Sequence, residues 1–588
     1  MVINLTFVNM LPLFPCNMEK HAQNRGTTVS KPWLDSYPEG VPAEVDLAEY
    51  NSIIEILELS CEKNKNQAAF INFDTQLSYG ELDTKTRDFA AWLQHQGLQK
   101  GDRIALVMPN ILQYPVALFG ALRAGLVIVN TNPMYTAREM KHQLVDSGAR
   151  AIVIVENFAH VLDEITKEVP VEHVITTRIG DLLDFPKGLL LNFVLKYVKK
   201  AIPEWKLPGS VSFSDVLNKG SRLTFNKVET NHEDLAFLQY TGGTTGVAKG
   251  AMLTHRNMVA NMLQSKAWMG AAGIGHDTEI VISALPLYHI FALTANCLVF
   301  MALGGTNILI TNPRDMPGFV KELGKVPFTV IPGVNTLFNG LLNTPGFSEL
   351  DFSTLKGALG GGMAVQRAVA DRWKKVTGTT LVEAYGLTET SPAACINPMD
   401  LAEYNGCIGL PISSTDGGIM SDEGELLAQG ETGELVIRGP QVMKGYWQRP
   451  EETDKVITAD GWLRTGDIAI MTEKGYFKIV DRKKDMILVS GFNVYPNEIE
   501  DVIALHPKVL EVAVIGVPDA KSNEAVKVFV VKSDPSLSEE ELRSYCAGQL
   551  TGYKRPRHIE FRDDLPKSNV GKILRRELRD EELKKNAA

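Results

Sequence analysis

Cysteine is scarce in this sequence, and the patterns that pair cysteines or hold a zinc ion are missing. The chain has 588 residues and six cysteines, none of them in a CxxC pair. They are Cys16, Cys61, Cys297, Cys395, Cys407 and Cys546. Such wide spacing argues against a disulfide framework and against a zinc cluster. We therefore expect a protein of the reducing cytoplasm.

Positive charge is not in excess, and long apolar runs are absent. With 60 basic and 70 acidic residues the formal net charge is -10, so no overall field attracts a polyanion and nucleic acid is not an expected partner. No uncharged apolar run reaches the roughly 18 residues of a membrane-spanning helix. The closest run, Ile290 to Leu303, predicts a buried helix.

The first residues lack the features of a targeting signal. Met1 to Phe14 is apolar, but it has neither a basic n-region nor a small-residue cleavage site. Met18 could equally begin the chain. We interpret residues 1–45 as an N-terminal extension.

One amphipathic segment leaves two interpretations open. As a helix, Leu189 to Ile202 would gather Asn192, Lys196, Lys199 and Lys200 in one polar stripe and leave the rest apolar. This pattern is typical of an interfacial helix on anionic lipid. It is equally compatible with a helix packed on its own domain with its lysines in solvent.

The order of apolar segments predicts an α/β protein of more than one domain, since single cores stop growing at roughly 250 to 300 residues. From Arg103 onward strand-like and helical runs alternate, and the alternation resumes from Glu279 to Ile310, which predicts parallel sheets covered by helices. Between Glu425 and Val480 short β-like runs with glycine-rich turns predict a small barrel-like set of hairpins.

A new α+β module follows the charged run DRKKD at Asp481 to Asp485, which is typical of an exposed linker or of a solvated turn. We therefore expect a large N-terminal domain at 46–480 with two parallel α/β subdomains and a small β-barrel-like subdomain. A hinge at 481–485 and a small C-terminal domain at 486–588 complete the predicted organisation.

The strongest local signal is YTGGTTGVAKG at Tyr240 to Gly250. Glycines let the backbone approach phosphate oxygens, hydroxyls add donors, and a lysine supplies a positive charge. It is not a Walker A loop, because Val247 and Ala248 separate the last loop glycine from the lysine. The candidate phosphate-binding residues are Thr241, Gly242, Gly243, Thr244, Thr245, Gly246 and Lys249. A plain Gly/Thr turn is the alternative.

Three further clusters fit a nucleotide. GGGM at Gly360 to Met363 offers bare backbone beside a planar ring, and Tyr385 in YGLTET offers a face for stacking. Glu389 beside Thr388 offers hard oxygen ligands for Mg²⁺. Asp467 in a TGD turn can accept hydrogen bonds from both ribose hydroxyls.

Seven motifs in order resemble the adenylate-forming acyl-CoA synthetases, a family that also contains luciferases and the adenylation domains of peptide synthetases. They are YTGGTTGVAKG, PLYH, GGGM, YGLTET, GWLRTGD, DRKKDMI and PKSNVGKILRR, spread from Ile53 to Leu578. The runs around the last three resemble bacterial long-chain fatty acid CoA ligases. Ile487 to Asn493 reads ILVSGFN where eukaryotic long-chain enzymes have a KLAQGE-type sequence, so the chain length of the acid stays open.

The resemblance implies that ATP, Mg²⁺ and coenzyme A are used to activate a fatty acid before β-oxidation or lipid synthesis. The carboxylate attacks the α-phosphate in line, pyrophosphate leaves, and coenzyme A displaces AMP from the acyl-adenylate. The implied catalytic residues are Lys572, Lys249, His289 and Glu389, and the implied Mg²⁺ ligands are Thr244 and Glu389.

The nucleotide-binding residues implied by the resemblance are Gly361, Gly362 and Tyr385 at the adenine and Asp467 and Arg482 at the ribose. Gly386 and Thr388 are further implied cofactor-binding residues. Lys484 is the implied hinge position. The mobile C-terminal domain would rotate there, withdraw Lys572 and present the Ser490 to Tyr495 loop, with Gly491, to coenzyme A. Val259, Met262, Ala292, Gly333 and Val334 are candidate walls of an acyl tunnel, or else ordinary core residues.

Several other functions are compatible with these motifs. The alternatives are a luciferase-like oxygenase, an adenylation module serving a carrier protein, a ligase that stops at the acyl-adenylate, and a medium-chain or aromatic acyl-CoA ligase. From another class, a membrane-associated fatty acid uptake or binding component is disfavoured, because a binder has no need of Lys249, Glu389, Asp467 and Lys572 together. Besides its substrates, we expect peripheral contact with the cytoplasmic face of the inner membrane and a homodimer.

Overall fold

The structure is a computed structural model that describes residues 30–241, 248–519 and 521–587. Every element below lies in the unit Pro32–Ala588. Residues 32–45 of the predicted extension belong to this unit: Trp33 is fully buried, and the Tyr37 hydroxyl donates to the Pro411 carbonyl at 2.5 Å. The remainder of that extension, up to residue 29, lies outside the described residues.

The strands of the described chain belong to four sheets. In chain order they are β1 (Ala68–Asn72), β2 (Thr75–Ser78), β3 (Arg103–Val107), β4 (Val127–Asn130), β5 (Ala151–Val155), β6 (His173–Thr177), β7 (Val211–Ser212), β8 (Leu235–Thr241), β9 (Lys249–Thr254), β10 (Ile280–Ser283), β11 (Thr306–Leu309), β12 (Val330–Gly333), β13 (Gly357–Gly360), β14 (Leu381–Gly386), β15 (Ala393–Ile396), β16 (Leu410–Pro411), β17 (Asp416–Met420), β18 (Thr432–Arg438), β19 (Leu463–Met471), β20 (Phe477–Arg482), β21 (Ile487–Val489), β22 (Phe492–Val494), β23 (Val509–Asp519), β24 (Asn523–Lys532) and β25 (His558–Arg562).

The helices alternate with these strands along most of the chain. They are α1 (Ile53–Lys63), α2 (Tyr79–His95), α3 (Gln113–Arg123), α4 (Ala137–Ser147), α5 (Ala159–Ile165), α6 (Lys187–Phe193), α7 (Phe213–Gly220), α8 (His255–Ala271), α9 (Ile290–Ala292), α10 (Val299–Ala302), α11 (Met316–Leu323), α12 (Asn335–Leu342), α13 (Arg367–Thr377), α14 (Pro450–Asp454), α15 (Pro496–Ala504), α16 (Glu539–Gln549) and α17 (Arg575–Ala587). Two π-helical segments, Val194–Val198 after α6 and Leu293–Leu298 between α9 and α10, extend their neighbours.

The first predicted α/β subdomain is a seven-stranded sheet in the order β7-β6-β5-β3-β4-β8-β9. All its pairs are parallel except β8 with β9, which form a hairpin. Strands β3, β4 and β5 are almost wholly buried because helices cover both faces of a parallel sheet. The alternation from Arg103 therefore correctly predicted these strands and the helices between them.

The second α/β subdomain is a nine-stranded sheet in the order β16-β15-β14-β13-β12-β10-β11-β1-β2. Its central pairs from β1 to β14 are parallel, and β2, β15 and β16 add antiparallel edges. The apolar helix predicted from Ile290 occurs here as α9, the π-segment and α10, and it is buried as predicted.

The remaining strands form two smaller sheets. Strands β17 to β20 make a four-stranded antiparallel sheet where hairpins were predicted, and β21 to β25 make a separate sheet covered by α15 and α16. The chain is therefore α/β, with two largely parallel sheets followed by small antiparallel and α+β parts. No helix among the described residues is long and apolar enough to span a membrane.

The segment predicted as a lysine-striped helix from Leu189 to Ile202 differs from the prediction in two respects. Its helix runs from Lys187 to Val198, counting the π-helical part, so Lys199 and Lys200 follow the helix instead of lying on it. Asn192 does not share the solvent-facing stripe, because it is buried, accepts a hydrogen bond from the Gly180 N–H and donates to Asp181. The helix is therefore held through its polar residue, while the apolar residues Leu189, Leu190, Phe193, Tyr197 and Val198 are exposed.

Candidate active site

The candidate site lies where β12, β13 and β14 end, at the carboxyl edge of the nine-stranded sheet. In open parallel sheets this edge is the usual place for a ligand. A cavity of about 1350 Å³ occupies it, larger than the roughly 300 to 1,000 Å³ of most small-molecule pockets. Its volume suits more than one substrate at a time.

Two strands bring the expected ribose residues together. Asp467 on β19 pairs in register with Arg482 on β20, and Arg482 Nε lies 3.5 Å from Asp467 Oδ1. The Tyr385 hydroxyl, at the end of β14, donates to Asp467 Oδ2 at 2.6 Å. Burial and the neighbouring Asp467 raise the pKa of Tyr385 well above its usual value, so this hydroxyl remains a donor. Tyr385 thus orients the carboxylate expected at the ribose.

The glycines of this region serve different purposes. A Cβ at Gly361 would come within 3.0 Å of the Phe291 ring, and Gly362 has a φ of +75° that favours glycine. A Cβ at Gly386 would lie 1.9 Å from the Pro392 carbonyl oxygen. Gly386 is thus required by the close approach of β14 to the following chain, independently of any ligand.

The predicted phosphate loop joins β8 to β9. Thr241 and Lys249 face each other in the hairpin register, so they fix both ends of the loop. Gly242, Gly243, Thr244, Thr245 and Gly246 lie outside the described residues. Their predicted roles, including that of Thr244 in binding Mg²⁺, stay predictions.

Lys249 and Glu389 are linked by residues that the motifs did not identify. The Lys249 ammonium forms an ion pair with Glu452 and lies 4.9 Å from the centre of the Tyr446 ring. The Tyr446 hydroxyl donates to Glu389 Oε1 at 2.7 Å. The only sequence signal for these two partners is GYWQRPEET at Gly445–Thr453, an aromatic pair followed by acidic residues after a proline.

A single carboxylate fits the expected metal. Glu389 lines the cavity, and Thr388 lies beside it. Mg²⁺ keeps several waters and takes its other ligands from substrate phosphates, so one protein carboxylate suffices. The described residues contain no group of three or more His, Cys, Asp or Glu side chains that could hold a metal without such a substrate.

His289 caps α9 at the cavity wall. The Phe291 N–H donates to His289 Nδ1 at 3.3 Å, which leaves Nε2 to carry the proton. Burial and the nearby Lys572 lower the pKa of His289 to about 4. The ring is therefore neutral at pH 7 and can donate a hydrogen bond without adding charge.

The loop before α17 brings Lys572 into the cavity. Its backbone N–H donates to Ser568 Oγ at 3.1 Å, and Gly571 beside it has a φ of +80°. Thr336 Oγ1 donates to the Gly571 carbonyl at 2.9 Å, and Asn339 Nδ2 donates to the Leu510 carbonyl at 3.0 Å. These two side chains of α12 therefore dock the β21–β25 part of the chain with its lysine facing the site.

The environment of Lys572 disfavours its charged form. Burial, Arg482 and other cations lower the pKa of Lys572 to about 7, while Asp467 opposes them. An amine that titrates near pH 7 can respond to a bound anion by taking up a proton. Lys572 is thus placed among the ribose residues and near His289, as a group acting on the α-phosphate and the acyl carboxylate requires.

Two other predicted residues lie in different surroundings. Lys484 lines the cavity, although its side chain is exposed. Asp481 and Asp485, at the ends of the same charged run, are buried against Arg575. Gly491 sits in the tight turn between β21 and β22, with a φ of +85°, and does not line the cavity.

Part of the cavity lining, here named the apolar end, is formed by apolar side chains. They include Trp268, Met269, Leu285, Ile290, Phe291, Ala295, Leu359, Ile396, Met399 and Ile408. Of the five residues predicted as tunnel walls, Val334 lines the cavity, whereas Val259, Met262, Ala292 and Gly333 do not and are buried. No sequence pattern distinguished these walls from the rest of the core.

Comparison with known proteins agrees with this arrangement. The model of the AMP-binding enzyme family matches residues 57–447, and that of the AMP-binding enzyme C-terminal domain matches 498–572. A protein named long-chain-fatty-acid–CoA ligase from Yersinia pestis is 60% identical over 95% of this chain and 99% of its own. One of the same name from Escherichia coli O157:H7 is 59% identical over 94% and 98%. The crystal structure of ATP-bound MatB from Rhodopseudomonas palustris has a TM-score of 0.78 at 28% identity and covers 90% of this chain and 99% of that one.

Proposed function

The chain belongs to the AMP-binding enzyme family, and we propose that it ligates long-chain fatty acids to coenzyme A through an acyl-adenylate, with release of AMP and pyrophosphate. Full-length relatives with 55–60% identity carry the name of that activity. The observation that carries the proposal is one cavity that is lined both by polar residues, here named the polar end, which include Asp467, Glu389 and Lys572, and by the apolar side chains of the apolar end.

The polar end supports the first half-reaction. Asp467, oriented by Tyr385, binds the ribose, and Lys249 binds the phosphates that leave. Protonated Lys572 stabilises the charge that develops on the α-phosphate oxygens as the carboxylate attacks. Neutral His289 borders the acyl carboxylate and keeps it in place without drawing it into an ion pair. Mg²⁺, held by Glu389 and Thr244, would neutralise phosphate charge when bound.

The second half-reaction needs a different arrangement. Lys572 fills the place where a thiol must reach the acyl carbon, and Gly491 is remote from the cavity. We propose that the residues from 486 onward rotate about Lys484 after adenylation, breaking the hydrogen bonds from Thr336 and Asn339, and bring the Gly491 turn to the site. The domain limits 46–480, 481–485 and 486–588 are part of this proposal.

The test is AMP release by the purified protein with ATP and Mg²⁺, with and without coenzyme A, over acids from acetate to oleate. Coenzyme-dependent release that peaks at long chains is the expected result. A peak at short or aromatic acids would favour the medium-chain or aromatic alternative. AMP release that does not depend on coenzyme A would contradict coenzyme A as the acyl acceptor, while the adenylation step would still stand.

A surface around α6 supports peripheral membrane contact at the cytoplasmic face. Its exposed apolar residues, here named the apolar patch, are Phe185, Leu189, Leu190, Phe193, Tyr197 and Val198, with exposed fractions of 55% to 83%. Lys187, Lys196, Lys199 and Lys200 surround them. Aromatic and aliphatic side chains beside cations suit an anionic lipid interface.

Vesicle sedimentation tests this proposal. Changing Lys196, Lys199 and Lys200 to Glu should reduce binding to vesicles of anionic lipid by more than tenfold, at roughly 1 kcal/mol for each lysine near the surface. The matched control changes Lys63, Lys65 and Lys219, which are exposed elsewhere, and should bind as the wild type does. Equal loss in both variants would show a general charge effect and contradict a specific surface.

The homodimer remains a proposal that concerns assembly alone. Sedimentation velocity over a range of protein concentrations tests it directly. A single species with the mass of one 64.7 kDa chain at every concentration would contradict it.

A further inference from the structure

The ammonium of Lys249 already has a carboxylate partner, and that partner comes from outside the predicted phosphate loop. Glu452 on α14 holds Lys249 in an ion pair, and a second cation, Lys455, bonds the other oxygen of Glu452. The hydrogen bonds from Lys249 and Lys455 lower the pKa of Glu452 to about 2, so its carboxylate is charged at any working pH.

The segment that carries Glu452 is tied to the strand that leads into the phosphate loop. The Tyr446 N–H donates to Thr453 Oγ1 at 2.9 Å, and Thr453 Oγ1 donates to the Arg449 carbonyl at 3.1 Å. Arg449 in turn pairs with Asp146 at 2.6 Å, and the Tyr240 hydroxyl of β8 donates to the same carboxylate at 2.7 Å. The Trp447 N–H donates to the Gly250 carbonyl of β9 at 2.8 Å, so Glu452 is fixed relative to both ends of the loop.

One ammonium cannot fully serve two anions at once. Polyphosphate bound at the loop would draw Lys249 toward its own oxygens, and the carboxylate of Glu452 would then lie close to like charge. The two side chains are 29% and 30% exposed, so water lowers the cost of parting them. The Glu452 carboxylate and a bound polyphosphate therefore compete for the single ammonium of Lys249.

We propose that Glu452 is a positioning residue. Between turnovers it holds the Lys249 ammonium where the leaving phosphates bind, and a bound polyphosphate displaces Glu452 from the lysine. The inference rests on the proposed function, since it takes ATP and pyrophosphate as the ligands. Glu452 keeps Lys249 aligned in the empty site. When pyrophosphate departs, Glu452 pairs with Lys249 again. Because it competes for the lysine, Glu452 weakens the binding of ligands that carry β- and γ-type phosphates.

The test measures ligand affinity for the full chain by calorimetry, without acid or coenzyme A. Glu452→Gln keeps the shape of the side chain and removes the competing charge, so the Kd for ATP and for pyrophosphate should fall about threefold to fivefold, as expected for a partly exposed ion pair. The Kd for AMP, which lacks the outer phosphates, should not change. Glu451→Gln, on the exposed neighbour of the same helix, is the matched control and should bind all three ligands as the wild type does.

A second background separates competition from a general effect on the fold. In a Lys249→Met chain there is no ammonium to compete for, so only direct repulsion between Glu452 and the phosphates remains. Adding Glu452→Gln there should lower the Kd for ATP by less than it does beside Lys249, and an equal gain in both backgrounds would contradict competition for the lysine. Unchanged or weaker ATP binding by Glu452→Gln alone, or an equal gain for AMP, would overturn the inference. If the wild type binds no ATP at all, the proposed function fails first; if it binds ATP and the variants do not differ, only the role of Glu452 fails.

Discussion

The polar end and the apolar end of the cavity lining are built in different ways. At the polar end three side chains have defined partners: Tyr385 donates to Asp467, Tyr446 donates to Glu389, and Glu452 pairs with Lys249. At the apolar end the walls have no such partners, and Trp268 even leaves its buried indole N–H without a hydrogen bond. Chemistry restricts the residue types at one end, and only shape and volume restrict them at the other.

The largest effect is expected from removing Lys572. Lys572→Ala should slow adenylation about 10³-fold, since one lost charge-stabilising group costs roughly 10² to 10³ in rate. Conversion of preformed acyl-adenylate to the thioester should be unaffected. Single-turnover assays of the two half-reactions measure this, with the exposed Lys584→Ala as control. Equal loss in both half-reactions would contradict the two-arrangement mechanism.

The pH dependence of adenylation should report the same lysine. The charged groups around Lys572 are Arg482, Asp467, Arg575 and Lys484, with neutral His289 nearby. Because the folded pKa of Lys572 is about 7, its cation is lost as pH rises, and kcat/KM for adenylation should fall about tenfold per unit above that pH.

The control for this pH profile is Lys572→Arg, which stays charged throughout the range. Its residual adenylation activity should be flat between pH 7 and 9. A descending limb that persists in the arginine variant would assign the ionisation to another group.

A smaller effect is expected from the tyrosine that orients the ribose carboxylate. Tyr385→Phe removes one hydrogen bond to Asp467, a loss of about 1.5 kcal/mol for a bond to a charged group. The Kd for ATP should rise about tenfold, while the Kd for pyrophosphate, which has no ribose, should not move. Equal weakening of both ligands would indicate a general disturbance of the site.

The smallest effect should come from the apolar end. Trp268→Leu enlarges the cavity without breaking a hydrogen bond. Each methylene of a longer acid that gains burial is worth about 0.8 kcal/mol, so kcat/KM for the longer acid should improve about fourfold relative to the shorter one. Assays with a series of saturated acids measure the ratio. An unchanged profile would show that Trp268 does not limit the length of the chain.

This contrast also explains what could be predicted from the sequence. The motifs led to Asp467, Lys249 and Lys572 because their chemistry needs particular residue types in particular loops. Tyr446 and Glu452 were missed, since an aromatic residue and a glutamate near a proline have no distinctive spacing. The walls of the apolar end were largely missed because Val259 and Met269 look alike in a sequence, and only the packing decides which of them faces a cavity.

Two apolar helices show the same limit for the fold. The alternation of strands and helices correctly predicted the parallel sheets, and the helix from Ile290 is buried as expected. The helix from Lys187 has a similarly apolar composition but exposes Leu189 and Leu190 and buries Asn192. A local pattern gives the two faces of a helix, while the rest of the chain decides which face is covered.

Gly386 has a consequence for anyone redesigning this site. Glycines beside a nucleotide are natural positions for diversity in a mutant library, because enlarging them reshapes the pocket. Here the Pro392 carbonyl of the same chain already occupies the space that any side chain at Gly386 would need. Such a library would mostly sample misfolded molecules at that position, so selection for a new nucleotide should leave it constant and vary its neighbours.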